Sequence, residues 1–258
     1  MEATVINIDG ADIHYVENGK GLPVLYVHGN NASGRFFQRV MEVPGCRTIA
    51  PDMPNFGRSA PLSVPPSLDL YADTVAKLVE ALGLERPLLV GHSLGGGVAI
   101  SLAVRYPKLF RGLVLVNSLA PSGLAVDEKQ FPFFEALKAN RELFSKALAA
   151  TMPTLKDAEL FNVLVDDGML MAAPAVTGNA RALGRFDYRG RCDAFPGPVL
   201  VVWGRKDYLI TEAMARETAE AFPRASLRIL DEVGHSVIVE DPVEFVRIII
   251  GFIAKEKL

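Results

Sequence analysis

The sequence feature that most constrains this chain is a short apolar strand that turns abruptly into a helix around a serine. Residues 88–90 form an apolar run of strand length, and residues 94–105 carry apolar side chains at helical spacing. Ser93 stands between them, with Gly91 and Gly95 two residues to either side. Because residues without a Cβ let neighbouring backbone pass closely, this spacing predicts a strained turn that lifts the serine hydroxyl out of the sheet.

The Gly-x-Ser-x-Gly spacing alone also fits a glycine-rich turn with an incidental serine, so the chain has to supply partners. A serine hydroxyl becomes a good nucleophile when a base takes its proton, and histidine suits that task near neutral pH. The chain has four histidines, which are His14, His28, His92 and His235. Only His235 lies downstream of Ser93, in a loop after a predicted strand, and we predict that it is the base.

The acid that orients the histidine is expected between the serine and the histidine, in a loop after a strand. Asp207 meets this condition, since it follows the predicted strand 198–203 by a short turn. It would hold the imidazole in the correct tautomer without taking the proton. Three other aspartates compete for the role, and they are Asp187, Asp193 and Asp231.

A second polar loop follows the predicted strand 23–27 and begins with His28-Gly29-Asn30. A carbonyl attacked by a serine develops negative charge on its oxygen, which needs fixed N–H donors. We predict that the backbone N–H groups of Asn30 and Leu94 form this oxyanion hole. The alternative for Asn30 and Asn31 is a loop that merely tolerates left-handed backbone.

The order of elements along the chain predicts an α/β fold with an insertion. Strands and helices alternate over residues 1–119 and again over residues 191–258, which is typical of a mostly parallel sheet covered on both faces. Residues 120–190 lack strand-length apolar runs and show helical patterns at 131–150 and 155–165, so we predict a helical cap there. Within the first part, Ser33 is expected to begin a helix that runs to about Val43.

Taken together, these pieces resemble the α/β-hydrolase superfamily, in its esterase- and lipase-like branch with a helical cap. The matching segments are His28-Gly29, the loop 52–59, residues 91–96, 204–207 and Gly234-His235. The resemblance implies an eight-stranded sheet, no metal and no cofactor. It also implies a two-step acyl-enzyme mechanism, with Ser93 attacking a carboxylic ester. The predicted cap is rich in Phe and Met, which indicates an apolar pocket over Ser93, so we expect small to medium apolar acyl groups.

The same resemblance leaves other functions open. Carbon–carbon hydrolases of ring-cleavage products tend to have asparagine before the serine, tryptophan after the histidine and a glycine-rich loop with proline. This chain has His92, Ser236 and residues 30–32 (Asn-Asn-Ala) at those positions. Lactonases and thioesterases would use the same residues, and some proteins of this fold are ligand receptors with little turnover.

Amino-acid composition and charge limit the classes of partner that we expect for this protein. Half of the residues are hydrophobic, the net charge is −3, and no basic patch or polybasic run suggests nucleic acid or a membrane as partner. The only cysteines, Cys46 and Cys192, lack metal-ligand spacing and fit a reducing compartment. With no signal peptide visible at the first residues, we expect a cytoplasmic protein that acts on a small-molecule ester, with its oligomeric state open.

Overall fold

One eight-stranded β-sheet organises the chain, in a computed structural model that describes residues 2–258. The strands are β1 (Glu2–Ile8), β2 (Ala11–Gly19), β3 (Leu22–Val27), β4 (Cys46–Pro51), β5 (Leu88–His92), β6 (Gly112–Val116), β7 (Val199–Gly204) and β8 (Ala225–Leu230). Their spatial order is β1-β2-β4-β3-β5-β6-β7-β8. The β1–β2 and β2–β4 pairs are antiparallel, and all pairs from β4 to β8 are parallel.

Helices cover both faces of this sheet, which confirms the predicted fold class. The α-helices are α1 (Leu68–Ala81), α2 (Leu94–Arg105), α3 (Phe131–Ala139), α4 (Arg141–Thr151), α5 (Ala158–Gly168), α6 (Ala173–Arg185), α7 (Glu212–Ala221), α8 (Val237–Glu240) and α9 (Pro242–Glu256). Short 3-10 helices lie at Gly34–Phe37, Glu128–Gln130 and Cys192–Ala194.

Alternation along the buried strands divides the core into two layers. In β3, Leu25 and Val27 pack with α1 and α2 on one face, while Val24 and Tyr26 pack with α9 on the other. Successive side chains of a strand point to opposite faces, so a central parallel strand is apolar on both. The central strands are therefore continuous apolar runs. The polar loops follow these strands at their carboxyl ends.

The carboxyl ends of the parallel strands meet at one edge of the sheet, and the polar loops gather there. Three of these loops begin after β3, β5 and β6, at His28, Ser93 and Asn117. The other two follow β7 and β8 and contain Asp207 and His235.

The helix expected from Ser33 to about Val43 is wrong beyond its first turn. Ser33 caps a 3-10 helix through a bond from the Arg35 N–H, but that helix ends at Phe37. The carbonyl of Val40 accepts from the Tyr26 hydroxyl, and the carbonyl of Met41 accepts from Thr48. The N–H groups of Gln38 and Val40 donate to carbonyls only three residues back, those of Arg35 and Phe37, so the segment keeps the tighter 3-10 pattern and does not become an α-helix.

Between β6 and β7, four α-helices (α3–α6) occupy the interval in which the cap is predicted. The expected helix 131–150 is interrupted at Asn140, whose side chain accepts from the Leu143 N–H and begins α4. Helix α6 is not predicted by its sequence pattern, because Val176, Thr177 and Gly178 have low helix propensity. Pro174 in its first turn is the available signal.

No single helix among residues 2–258 is long and apolar enough to cross a membrane, and the pair α5–α6 reaches that length and composition only across a 95° bend.

Candidate active site

Ser93 has the strained backbone that the sequence predicts. Its φ is 55° and its ψ is −118°, a conformation that costs a residue other than glycine about 1–3 kcal/mol. The surrounding backbone holds it there. Its N–H donates to the carbonyl of Val116, and its own carbonyl accepts from the N–H groups of Gly96 and Leu119. Hydrogen bonds with β6 and the loop that follows it therefore help to hold Ser93 in this strained conformation.

The glycines at either side of Ser93 are required by close backbone contacts. A Cβ on Gly91 would lie 2.4 Å from the carbonyl oxygen of Gly95. A Cβ on Gly95 would lie 2.3 Å and 2.4 Å from the carbonyl oxygens of Val27 and His28. Because backbone atoms cannot move aside cheaply, only glycine fits at both positions, and the first turn of α2 packs directly against the end of β3.

Asp207 and His235 are hydrogen-bonded to each other. The Nδ1–H of His235 donates to Oδ2 of Asp207 at 2.7 Å, and both side chains are buried. Burial by itself would raise the pKa of Asp207. The hydrogen bonds from His235, Asn117 and the Ile210 N–H outweigh it and hold this pKa below its usual value. Asp207 is thus a carboxylate that accepts from Nδ1 of His235, which leaves Nε2 of the imidazole without a proton.

Asn117 is a part of this site that sequence reasoning missed. Its amide NH2 donates to Oδ2 of Asp207 at 2.7 Å and to the carbonyl of Gly234 at 3.3 Å. It therefore ties the loop of the acid to the loop of the histidine. Its position directly after β6, at the edge where the polar loops gather, was the signal that could have revealed it.

His92 packs against His235 and binds its backbone. Its ring stacks on Phe36 and lies 5.0 Å from the ring of His235, measured between centroids. Its Nε2–H donates to the carbonyl of His235 at 2.9 Å. Burial, and secondarily His235, lower the pKa of His92 to about 3, so the ring is neutral.

Glu240 holds the loop around His235, and it too was missed. Its carboxylate accepts from the N–H groups of Gly234 and Ser236, the two neighbours of the histidine. It also accepts from the N–H and hydroxyl of Thr154, which lies within the helical insertion, between α4 and α5. The N–H of His235 donates to the carbonyl of Thr151. The backbone on both sides of the histidine is consequently fixed.

The predicted oxyanion loop lies against the elbow. A Cβ on Gly29 would lie only 3.0 Å from the Cβ of Ser93 and 3.0 Å from Nδ1 of His92, so the loop packs tightly on the elbow. Within residues 2–258, neither the N–H of Asn30 nor that of Leu94 donates to another group of the chain. The Ser93 hydroxyl likewise has no hydrogen-bond partner among these residues. Catalytic hydrogen bonds often form only with substrate bound.

His28 and the loop 52–59 are structural neighbours of this site. The Nε2 of His28 accepts from the Met53 N–H, and burial lowers its pKa, so it remains neutral. Asp52 accepts from the N–H groups of Gly34 and Arg58 and lies 3.3 Å from Nδ1 of His14. The carboxylate of Asp52 thus orders this loop through backbone N–H groups.

The competing acids lie elsewhere. Asp187 is paired with Arg189 and Asp231 with Arg205, all of them on the surface. Asp193 is exposed in the 3-10 helix before β7. Among the described residues, no cluster of three histidine, cysteine or acidic side chains is arranged to hold a metal ion.

Comparison with known proteins agrees with this architecture. The family described as "alpha/beta hydrolase fold" matches residues 23–242. That range covers most of the chain and includes the candidate site from His28 to Glu240. The chain therefore belongs to the α/β-hydrolase fold family.

Similar proteins within this family have different named activities. The chain is 28% identical to the 2-hydroxymuconate semialdehyde hydrolase of Pseudomonas putida, covering 93% of this chain and 89% of that protein. Its fold matches the esterase EaEST of Exiguobacterium antarcticum with a TM-score of 0.86 at 20% identity, covering 98% and 100% of the two chains. It also matches Est816, an N-acyl homoserine lactone degrading enzyme, with a TM-score of 0.79 at 25% identity, covering 96% and 100%.

Proposed function

We propose that the protein is a serine hydrolase that cleaves carboxylic esters through an acyl-enzyme intermediate. Ser93 is the nucleophile, His235 the general base and acid, and Asp207 the group that orients the imidazole. One observation carries the proposal: a strained serine at a strand-to-helix elbow, on the same sheet edge as a buried Asp–His pair bonded at 2.7 Å. Strain of this kind persists where the surrounding structure enforces it, and it exposes the hydroxyl for attack.

In the first half-reaction, Nε2 of His235 takes the hydroxyl proton while the Ser93 oxygen attacks the ester carbonyl. The carbonyl oxygen becomes an oxyanion, and the N–H groups of Asn30 and Leu94 bind it. Collapse of this intermediate breaks the carbon–oxygen bond, and the alcohol leaves with the proton from His235. Water, deprotonated by the same nitrogen, then attacks the acyl group and releases the acid and the free serine.

The surroundings of the elbow favour a neutral ester. The first turn of α2 packs against Ser118, Leu119 and Leu68, and the neutral ring of His92 stacks on Phe36. All of these side chains are buried, so they form the packing around the elbow, and none of them carries a charge at neutral pH. We therefore include an apolar acyl group in the proposal.

Cleavage of a carbon–carbon bond is the second candidate, supported by the 28% identity to a 2-hydroxymuconate semialdehyde hydrolase. The residues next to the proposed catalytic groups differ from those typical of that class, with His92 before the serine and Ser236 after the histidine. Ring opening of a lactone would use the same chemistry as ester cleavage, and the likeness to Est816 supports including lactones among the substrates tested.

The test is steady-state hydrolysis of p-nitrophenyl esters from acetate to long acyl chains, by the wild type and Ser93→Ala. We expect turnover by the wild type and a loss of about 10⁴- to 10⁶-fold in kcat for the variant. Activity of Ser93→Ala near that of the wild type would refute the mechanism. If a fluorophosphonate labels Ser93 but no ester turns over, the ester assignment is wrong, and ring-cleavage diketones and lactones are assayed next. Tight ligand binding without any turnover would identify a receptor.

A further inference from the structure

A buried chain of hydrogen bonds joins the helical insertion to the proposed oxyanion loop. Asn179 of α6 is fully buried, and its amide NH2 donates to Oδ1 of Asn30 at 2.8 Å. Its Oδ1 accepts from the hydroxyl of Tyr71 at 2.8 Å. That hydroxyl accepts from the amide of Asn55 at 3.0 Å, and Oδ1 of Asn55 accepts from the Leu62 N–H at 2.8 Å.

The direction of every bond in this chain follows from its last member. The Leu62 N–H can only donate, so the oxygen of Asn55 faces it and the NH2 of Asn55 faces Tyr71. The Tyr71 hydroxyl then donates to Asn179. Burial raises the pKa of Tyr71 to about 12, which keeps this donor protonated. Because the oxygen of Asn179 accepts from Tyr71, its NH2 faces Asn30. The side chain of Asn30 can accept this bond only with its Oδ1 toward Asn179.

The next residue of the oxyanion loop also faces the insertion. Asn31 adopts a φ of 56°, in the left-handed region that asparagine tolerates. The insertion also contacts Asn31 directly, because a Cβ on Gly168, the last residue of α5, would lie 2.7 Å from the Asn31 carbonyl oxygen. Both residues of the turn are therefore held by helices of the insertion.

We infer that Asn179 is a positioning residue that orients the Asn30 N–H toward the oxyanion. The inference rests on the proposed function, since it concerns a donor that matters only when Ser93 attacks a carbonyl. Docking of α6 and assembly of the oxyanion hole are then one event, because the hydrogen bond from Asn179 to Asn30 joins them. An oxyanion donor that is displaced loses most of its effect, since stabilisation depends on its distance from the developing charge.

The test compares Asn179→Ala, Asn30→Ala and the double variant, with Asn162→Ala, at an exposed position of α5, as the matched control. Asn30→Ala keeps the backbone N–H but removes the acceptor for Asn179. We expect each single variant to lower kcat by about tenfold or more with little change in KM. The double variant loses no more than the single ones, because both act through one hydrogen bond. Asn162→Ala stays within about twofold of the wild type, as surface substitutions usually do.

Two further measurements separate positioning from a merely structural role. A trifluoromethyl ketone forms a tetrahedral adduct with Ser93, and its affinity should fall by the same factor as kcat/KM in Asn179→Ala. The pH profile of kcat/KM should keep its shape, because the Asp207–His235 pair is untouched. An unchanged adduct affinity, or additive losses in the double variant, would overturn the inference. Ser93→Ala separates the two proposals, since activity in that variant refutes the mechanism itself.

Discussion

The sharpest test of the proposed mechanism is Asp207→Asn, which changes one atom in the candidate site. Oδ1 of Asp207 accepts from the backbone N–H groups of Leu209 and Ile210, and Oδ2 accepts from His235 and Asn117. An asparagine can offer an oxygen to only one of these two pairs. Because the backbone donors cannot rotate, the amide oxygen stays with them and the NH2 group faces His235.

The imidazole then responds by changing its tautomer. Nδ1 of His235 accepts from the new NH2, and its proton moves to Nε2, the nitrogen that must accept the serine proton. The same substitution in a serine protease triad lowers kcat by about 10⁴-fold, which corresponds to about 5 kcal/mol of activation free energy. We expect a loss of this order here, with a small change in KM because ground-state contacts to the substrate are unaltered.

The assay is steady-state hydrolysis of the best p-nitrophenyl ester, with thermal unfolding to establish that the variant is folded. Asp231→Asn is the matched control, since that aspartate is exposed and paired with Arg205. We expect it to leave kcat within about twofold of the wild type. A folded Asp207→Asn variant that keeps more than a tenth of the wild-type kcat would mean that another group orients the histidine.

The other predictions concern the supports of the site. Glu240→Ala leaves the N–H groups on either side of His235 without their acceptor, and we expect kcat to fall about 10- to 100-fold. Glu232→Ala, in the same loop but exposed, is the control, and equal losses in both variants would contradict the role of Glu240. The second prediction concerns His92 and His28, whose pKa values are lowered by burial, that of His92 to about 3. Below about pH 6.5, these two histidines bind protons in the unfolded chain but not in the folded chain. Above that pH they should therefore cause no loss in the free energy of unfolding. Below it, the free energy of unfolding should fall by up to about 1.4 kcal/mol per pH unit per histidine. Urea unfolding at about pH 7.5, 6 and 5 measures this slope, and an equal slope in His92→Gln would show that His92 is not its source.

The architecture could be predicted from the chain because its main elements are encoded locally. The apolar runs of the central strands, the helical spacing of α1 and α2, and the glycines around Ser93 each depend on neighbours in sequence. The insertion was less predictable, since α6 contains residues of low helix propensity and forms by packing on the rest of the molecule. The segment after Ser33 likewise depends on distant residues, since the side chains of Tyr26 and Thr48 bind the carbonyls of Val40 and Met41.

The proposed serine, histidine and acid were selected by their order along the chain and their positions after strands. Three things suffice to propose them: local pattern, the serine–acid–histidine order that accompanies such an elbow, and the rule that strand ends share one edge of a parallel sheet. Asn117 follows β6 and could have been found by the same rule. Glu240 and Asn179 could not, because they lie on helices, where a polar side chain can face many partners.

The sequence by itself determined which residue types could perform the chemistry and on which elements they would stand, because strand periodicity, glycine spacing and chain order are properties of neighbouring residues. The tertiary structure alone decided how those groups are held. The tautomer of His235, the carboxylate state of Asp207 and the orientation of the Asn30 amide depend on burial and on partners 28, 90 and 149 residues away. Hydrogen bonds depend on distance and direction in space, and only the folded chain supplies both.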